Sequence, residues 1–130
     1  MAKQYVIVKC EDKDTSVAAI KKEGVLKAMG ATISEWINKK SSGKLSTTDK
    51  SKDGYVVTAS VVSLKGNDKD KPTKLDAKIS IVAIGTGSTT GGFTGTGSGS
   101  LDGVSKIQAD AEALIKDLFD DLMKKAIAKM

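Results

Sequence analysis

A strand-like alternation with glycine at its inner positions runs from Phe93 to Leu101, and it constrains the fold more than any other feature. Side chains alternate between the two faces of a strand, so every second residue shares a face. One face would carry Phe93, Gly95, Gly97, Gly99 and Leu101, and the other Thr94, Thr96, Ser98 and Ser100. Glycine inside a strand marks a close approach by another part of the chain. We therefore predict that a helix packs directly on the glycine face.

A flexible linker is the alternative for this segment, because Gly85–Gly103 is rich in glycine, serine and threonine. The alternation favours a strand, which we expect to pair with Leu75–Ile84 through a turn at Ser88–Gly92. The chain places this strand last, so we expect it at an edge of the sheet, where it carries no lysine or proline to block further pairing. The predicted partner edge consists of Thr94, Thr96, Ser98 and Ser100.

Three further segments have the composition or alternation of strands. Tyr5–Cys10 and Tyr55–Leu64 are rich in β-branched residues, and Leu75–Ile84 alternates apolar and polar side chains. A polar loop that contains the single proline, Pro72, separates the last two segments. These two segments therefore predict a hairpin.

Two segments have helical periodicity. Apolar residues spaced three and four apart predict a helix that starts after Asp14, Thr15 or Ser16 and ends at about Lys40. A second apolar stripe between Ile107 and Ala126 predicts the last helix. Ser105 and Gln108 would form a capping box at the start of that helix.

The predicted fold class is α+β, with the order β-α-β-β-β-α. We expect a three- to four-stranded antiparallel sheet with two long helices packed on one face, because that arrangement buries both helical stripes. With 130 residues, the chain is expected to form a single domain, 1–130.

Composition excludes several classes of catalytic site. The chain has no histidine, which removes the Ser-His-Asp triad, the Cys-His dyad and histidine-rich zinc sites. Its single cysteine, Cys10, cannot form an internal disulfide, and we expect it to be a small buried hydrophobic residue. A small enzyme that uses carboxylate or lysine chemistry stays open, although no spacing indicates catalytic residues. We expect no cofactor and no metal.

Three partial motifs suggest ligands but lack essential residues. Gly85–Gly92 follows a predicted strand, yet no glycine in it precedes the lysine that a Walker loop needs. Asp49–Gly54 resembles the first half of a calcium loop, but Ser60 stands where the bidentate acid belongs. Asp12, Asp14, Ser16 and Glu23 match the same spacing, with Val17 in place of the required glycine. An Asp-Gly turn and a helix cap explain these residues better.

Basic residues suggest a second hypothesis, weak non-specific binding of nucleic acid or another polyanion. The chain has 21 lysine and arginine residues against 16 acids, a net charge of +5, and every cation is lysine. The excess peaks in a lysine patch, which we define as Lys39, Lys40, Lys44, Lys50 and Lys52. A helix end followed by a solvated loop explains the same lysines, and the absence of arginine removes the fork that reads guanine and phosphate.

The α-β-β-β-α order after the first strand resembles that of a double-stranded-RNA-binding domain, in element order only. Such domains place several basic residues at the start of the last helix. Here Ser105–Asp110 holds one lysine and one acid, so that contact region is missing.

The favoured hypothesis is a non-enzymatic binding or assembly module that acts through a sheet edge or a helix face, by self-association or with a protein partner. No segment is long and apolar enough to span a membrane. The N-terminal sequence does not resemble a signal peptide, which predicts a cytoplasmic location, although a mature exported chain behind a new methionine would look the same.

Overall fold

The computed structural model describes residues 4–48 and 50–130. Within these residues the chain forms a curled, mixed sheet of five strands and two α-helices. The elements are β1 (Gln4–Asp12), α1 (Lys22–Lys39), β2 (Leu45–Ser46), β3 (Gly54–Gly66), β4 (Lys74–Thr86), β5 (Gly92–Asp102) and α2 (Ile107–Lys129).

The prediction of a three- to four-stranded antiparallel sheet with the order β-α-β-β-β-α is wrong. The strand order is β2-β1-β3-β4-β5, and β1 pairs in parallel with both β2 and β3. Only the pairs β3–β4 and β4–β5 are antiparallel among the described strands. The reason is the connection through α1, because a helical crossover returns the chain to the same end of the sheet. The additional strand, β2, has only two residues, too few to produce a periodic pattern.

Helix α1 begins at Lys22, several residues after the expected caps at Asp14 to Ser16. The chain first continues along β3 beyond the end of β1. The backbone N–H of Lys13 donates to the carbonyl of Val61 at 2.9 Å, and that of Ser16 donates to the carbonyl of Leu64 at 3.0 Å. The residues that the sequence pattern assigned to a helix cap therefore pair with β3 through their backbone.

The start of α2 also differs from the predicted capping box. Asp110 accepts the backbone N–H groups of Ser105 and Lys106 at 3.0 and 3.1 Å. The side-chain amide of Gln108 instead binds the backbone of Lys21, accepting its N–H at 2.7 Å and donating to its carbonyl at 3.2 Å. Gln108 thus connects the start of α2 to the residue that precedes α1.

The core lies between the helices and one face of the sheet. Large side chains that are fully buried include Phe119 and Ile115 from α2, Met29 from α1 and Ile79 and Ile81 from β4. Truncating a fully buried phenylalanine to alanine costs about 3–5 kcal/mol, because the lost burial and the cavity add. The other face, which we call the open face, is not covered by either helix and carries the strand residues that alternate with the core positions.

A β-bulge bends the sheet near its centre. Val61 pairs with Ile79 and Ser63 pairs with Lys78, which leaves Val62 as an extra residue in β3. A bulge of this kind bends its strand and increases the local twist. The bend contributes to the curl of the sheet and leaves Val62 37% exposed on the surface.

Candidate functional site

Strand β5 forms one edge of the sheet, and it is the strand that the glycine alternation predicts. It pairs with β4 in antiparallel register, with Gly97 opposite Ile79 and Thr96 opposite Ser80. The backbone N–H of Gly85 donates to the carbonyl of Gly91 at 3.0 Å, so these two residues form a hydrogen-bonded pair at the turn. Every second pair along the hairpin is then also hydrogen-bonded. Antiparallel pairs alternate in type, so odd-numbered residues of β5 bond to β4 and even-numbered residues direct their backbone groups outward. The even-numbered set is the predicted partner edge, Thr94, Thr96, Ser98 and Ser100.

The two edges of the sheet differ in their capacity for further pairing. Natural edges are protected by short length, charge, proline or a bulge. The edge at β2 is only two residues long and follows Lys44. The edge at β5 is eleven residues long, from Gly92 to Asp102, and its only charged residue is the last one. The longer edge therefore lacks these protections.

Glycine on the inner face of β5 allows α2 to lie close to the sheet. A Cβ atom built at Gly99 would lie 3.0 Å from Leu118 Cδ2, and one built at Gly95 would lie 2.9 Å from Leu122 Cδ1. The ring of Phe93 also crosses Gly95, 2.7 Å from the same built Cβ atom. The helix thus fixes β5 from one side and leaves its outer edge free.

Gly97 lies between Gly95 and Gly99 on the same face of β5, but its nearest neighbour is a residue of the adjacent strand. The atoms within 4 Å of a Cβ atom built at Gly97 belong to Ile79, on the neighbouring strand, at 3.4 and 3.6 Å. These are ordinary contact distances, so the position has room for one methyl group.

An apolar row on the open face was not predicted from the sequence. Ile7, Val56 and Ile84 lie side by side on β1, β3 and β4, and Ile84 is opposite Gly92 of β5. Ile7 is 41% exposed and Ile84 is 61% exposed, which is unusual for large aliphatic side chains. The signal in the sequence is the unbroken run Val82-Ala83-Ile84, in which apolar residues fall on both faces of β4.

An open depression of about 460 Å³ lies on the open face beside β5. Its polar lining comes from Ser63, Lys65, Asp76, Lys78, Ser98 and Ser100. The depression is shallow, so water reaches every group in it. It therefore offers a surface for contact rather than the secluded pocket in which a lysine or carboxylate acquires catalytic properties.

The predicted lysine patch consists of exposed side chains. Lys39 and Lys40 lie at the end of α1, Lys44 precedes β2, and Lys50 and Lys52 lie before β3. Lys40 has local partners, since its Nζ lies 3.8 Å from Glu35 Oε1 and 4.7 Å from the centre of the Trp36 ring. These contacts account for the position of Lys40 at the end of the helix. Polyanion binding by the patch is not supported by the fold.

The glycine-rich turn after β4 is occupied by a side chain of the protein itself. Asp53 Oδ1 accepts the backbone N–H of Ser88 at 2.7 Å and its hydroxyl at 2.6 Å. These two hydrogen bonds lower the pKa of Asp53 below its usual value. A phosphate would have to compete with this carboxylate, so the turn is a structural feature rather than a nucleotide site.

Cys10 and the partial calcium motifs also have structural explanations. Burial raises the pKa of the Cys10 thiol, which lowers the fraction of reactive thiolate. Asp12 Oδ2 accepts the hydroxyl of Thr15 at 2.5 Å. Among residues 4–48 and 50–130, no group of three or more His, Cys, Asp or Glu side chains is arranged to hold a metal ion. Asp49, the first residue of the other partial motif, lies outside the described residues.

Comparisons with known proteins identify similar folds without a family. No protein-family model matches the sequence, and no curated protein matches it significantly. A PelC dodecamer from Paraburkholderia phytofirmans has a similar fold, with a TM-score of 0.53 and 11% identity over 95% of this chain and 91% of that chain. A point variant of that dodecamer gives a TM-score of 0.51 with 11% identity, over 93% and 90% of the two chains. A minor lipoprotein from Acinetobacter baumannii has a TM-score of 0.43 and 14% identity, over 91% and 90%.

At these identities the likeness to PelC shows the fold alone. Neither helix in the described part of the chain is long and apolar enough to cross a bilayer. The cytoplasmic location expected from the N-terminal sequence stays a prediction.

Proposed function

We propose that the protein is a non-enzymatic assembly module that associates through the edge of β5, formed by Thr94, Thr96, Ser98 and Ser100. One observation carries the proposal: this edge is eleven residues long, it has no charge before Asp102, and its outward backbone groups have no strand beside them in the described chain. Addition of a strand to such an edge satisfies those groups, and each hydrogen bond stabilises by about 0.5–1.5 kcal/mol net.

The oligomeric state of the similar structures supports association. PelC, whose fold the chain resembles, is described as a dodecamer. The apolar row of Ile7, Val56 and Ile84 also supports a binding role, because it ends beside Gly92 at the same edge. A partner at β5 would shield this end of the row from water, which is favourable for apolar surface.

We infer as well that residues 1–130 act as one domain. A single core cluster supports this, since it contains residues of both helices and of strands β1 to β4, with Phe93 and Leu101 of β5 packed against it. Association through β5 would then involve residues 1–130 as one body.

Sedimentation of a charged edge variant tests the proposed function. The double variant Thr96→Lys with Ser98→Lys places two cations on exposed positions of β5, as natural edges do. We expect the native chain to form a defined oligomer at high concentration and the variant to sediment as a monomer. The matched control is Ala18→Lys with Ala31→Lys, which adds the same charge at exposed positions away from β5 and should leave the oligomer intact.

Two results would contradict the proposal. The first is a native chain that stays monomeric at high concentration. The second is an oligomer that survives both lysines on β5. A defined stoichiometry also separates specific assembly from the polydisperse aggregation that an unprotected edge favours.

A further inference from the structure

The side chains of β5 are arranged symmetrically about Gly97. Residues at equal distances before and after Gly97 are of the same kind, so the sequence of the strand is nearly the same when read in reverse. The pairs are Thr96 and Ser98, Gly95 and Gly99, Thr94 and Ser100, and Phe93 and Leu101. Two copies of such a strand are complementary to each other in antiparallel orientation, because each residue then lies opposite its symmetric counterpart.

We propose that the partner of β5 is β5 of a second copy of this chain, in antiparallel register about a two-fold axis at Gly97. This inference rests on the proposed function and adds the identity of the partner and the register. A two-fold contact of this type uses the same patch on both copies. It would join the two sheets into one continuous sheet.

The backbone of β5 is compatible with this register. Thr94, Thr96, Ser98 and Ser100 direct their N–H and carbonyl groups outward, and in the register about Gly97 these residues lie opposite one another. Each bonded antiparallel pair exchanges two hydrogen bonds, so the contact would form about eight. Directly opposed side chains point to the same face, and Thr–Ser pairs across strands are favourable.

The side chains distinguish this register from its neighbours. In the register about Gly97, Phe93 lies opposite Leu101 of the second copy at both ends of the contact. A shift by two residues in either direction places Phe93 opposite Gly99 or Gly103 of the second copy. Aromatic–aliphatic pairs stabilise neighbouring strands, and glycine contributes no side chain, so only one register gains this pairing.

The charge of α2 is complementary in the same arrangement. Leu118 contacts the position of Gly99 and Leu122 contacts that of Gly95, so α2 runs antiparallel to β5. The two copies of α2 would therefore also run antiparallel to each other. The lysines Lys124, Lys125 and Lys129 lie at the end of α2, and its acids precede them, with Lys116 among them: Asp110, Glu112, Asp117, Asp120 and Asp121. Antiparallel placement brings the acidic part of one helix towards the lysine end of the other.

Pulsed EPR on singly labelled chains tests the register. Two variants, Thr94→Cys and Ser100→Cys, are each made with Cys10→Ala so that the spin label has one attachment site. Because both positions lie on the proposed edge, sedimentation first checks that each labelled variant still forms the oligomer of the native chain. In the register about Gly97, two copies of residue 94 are six residues apart along the contact, about 20 Å between Cα atoms, and two copies of residue 100 are equally far apart. Both labelled positions are exposed on the same face, so the label adds a similar length to both distances.

We expect equal distances for the two labels. A register shifted by two residues shortens one distance by about 7 Å and lengthens the other by the same amount, and parallel pairing brings both below 10 Å. The register would be overturned by unequal or short distances. If Thr96→Lys with Ser98→Lys still dissociates the oligomer in that case, the proposed function remains intact. If the distances are well beyond about 20 Å and the oligomer also survives Thr96→Lys with Ser98→Lys, both the register and the proposed function would be overturned.

Discussion

The three glycines on the inner face of β5 have different neighbours, and this difference is measurable in single substitutions. Gly95 and Gly99 face leucine side chains of α2 at 2.9 and 3.0 Å from a built Cβ atom, whereas Gly97 faces Ile79 at 3.4 Å. The sequence pattern predicts one glycine face, but it contains no information about which turn of the helix crosses which glycine. That assignment depends on the position of α2, which tertiary packing determines.

We predict that Gly95→Val and Gly99→Val each lower the free energy of unfolding by roughly 1–3 kcal/mol, because the new side chain forces α2 or Phe93 to move. Gly97→Ala should be close to neutral, since its methyl group meets Ile79 at an ordinary distance. Thr96→Val, on the open face, is the second control. Urea denaturation of the four variants at low protein concentration provides the comparison. Equal losses at Gly95 and Gly97 would contradict the position of α2 described above.

At the scale of elements, β5 and α2 are predictable because each has a strict period in the sequence. The parallel pairing of β1 with β3 is not predictable in the same way, because it depends on the path of the crossover through α1. The predicted start of α1 is wrong for a related reason. The backbone N–H groups of Lys13 and Ser16 bond to β3, and capping signals in the local sequence contain no information about pairing with a distant strand. The two-residue strand β2 is below the length at which periodicity can be detected.

The contact between α1 and α2 includes one polar connection on its outer side. Trp36 Nε1 donates to Asp120 Oδ1 at 2.9 Å, and Lys116 Nζ lies 2.7 Å from Asp120 Oδ2. Partial burial by itself raises the pKa of Asp120, but the hydrogen bonds from Lys116 and Trp36 outweigh it and lower the pKa below its usual value. The ionised form of Asp120 is therefore favoured by folding.

We predict an acid-dependent loss of stability at this connection. Because the pKa of Asp120 is lower in the folded chain, its contribution is present above the unfolded pKa of about 3.9 and is lost as the pH falls through the folded pKa. Asp120→Asn should destabilise the fold at neutral pH, and its difference from the native chain should shrink in acid. The control is Asp121→Asn, at an exposed side chain 3.9 Å from Lys125 on the same helix. Thermal denaturation between pH 7 and pH 2 measures both, and a constant Asp120→Asn difference would contradict the assignment.

At the scale of the whole molecule, charge and apolar surface are distributed differently. Lysines are spread over the chain and include Lys65 and Lys78 on the open face, whereas the exposed aliphatic side chains Ile7 and Ile84 lie together on the open face. A net charge of +5 attracts polyanions without requiring a defined site. The distribution therefore predicts weak binding that depends on total charge.

Heparin affinity tests whether the lysine patch acts as a site. The triple change of Lys39, Lys44 and Lys52 to glutamine should lower retention by the same amount as the triple change of Lys124, Lys125 and Lys129. Both sets remove three exposed cations, and non-specific binding falls with salt in proportion to the charges neutralised. Retention on a heparin column across a salt gradient provides the measurement. A selective loss from the first set would restore the hypothesis of a polyanion site.

The parallel pairing of β1 with β3 also determines when each part of the chain can fold. Tyr5 lies opposite Gly54, so this pairing closes a segment of about fifty residues, whereas the hairpin of β4 and β5 closes through a short turn. Loop closure over a long segment slows folding, and we expect the strands β3 to β5 to form before β1 joins them. During synthesis the glycine face of β5 stays uncovered until α2, which follows β5 in the chain, has been made. Until then both faces and the free edge of β5 are exposed, so the nascent chain is most prone to aggregation at this stage.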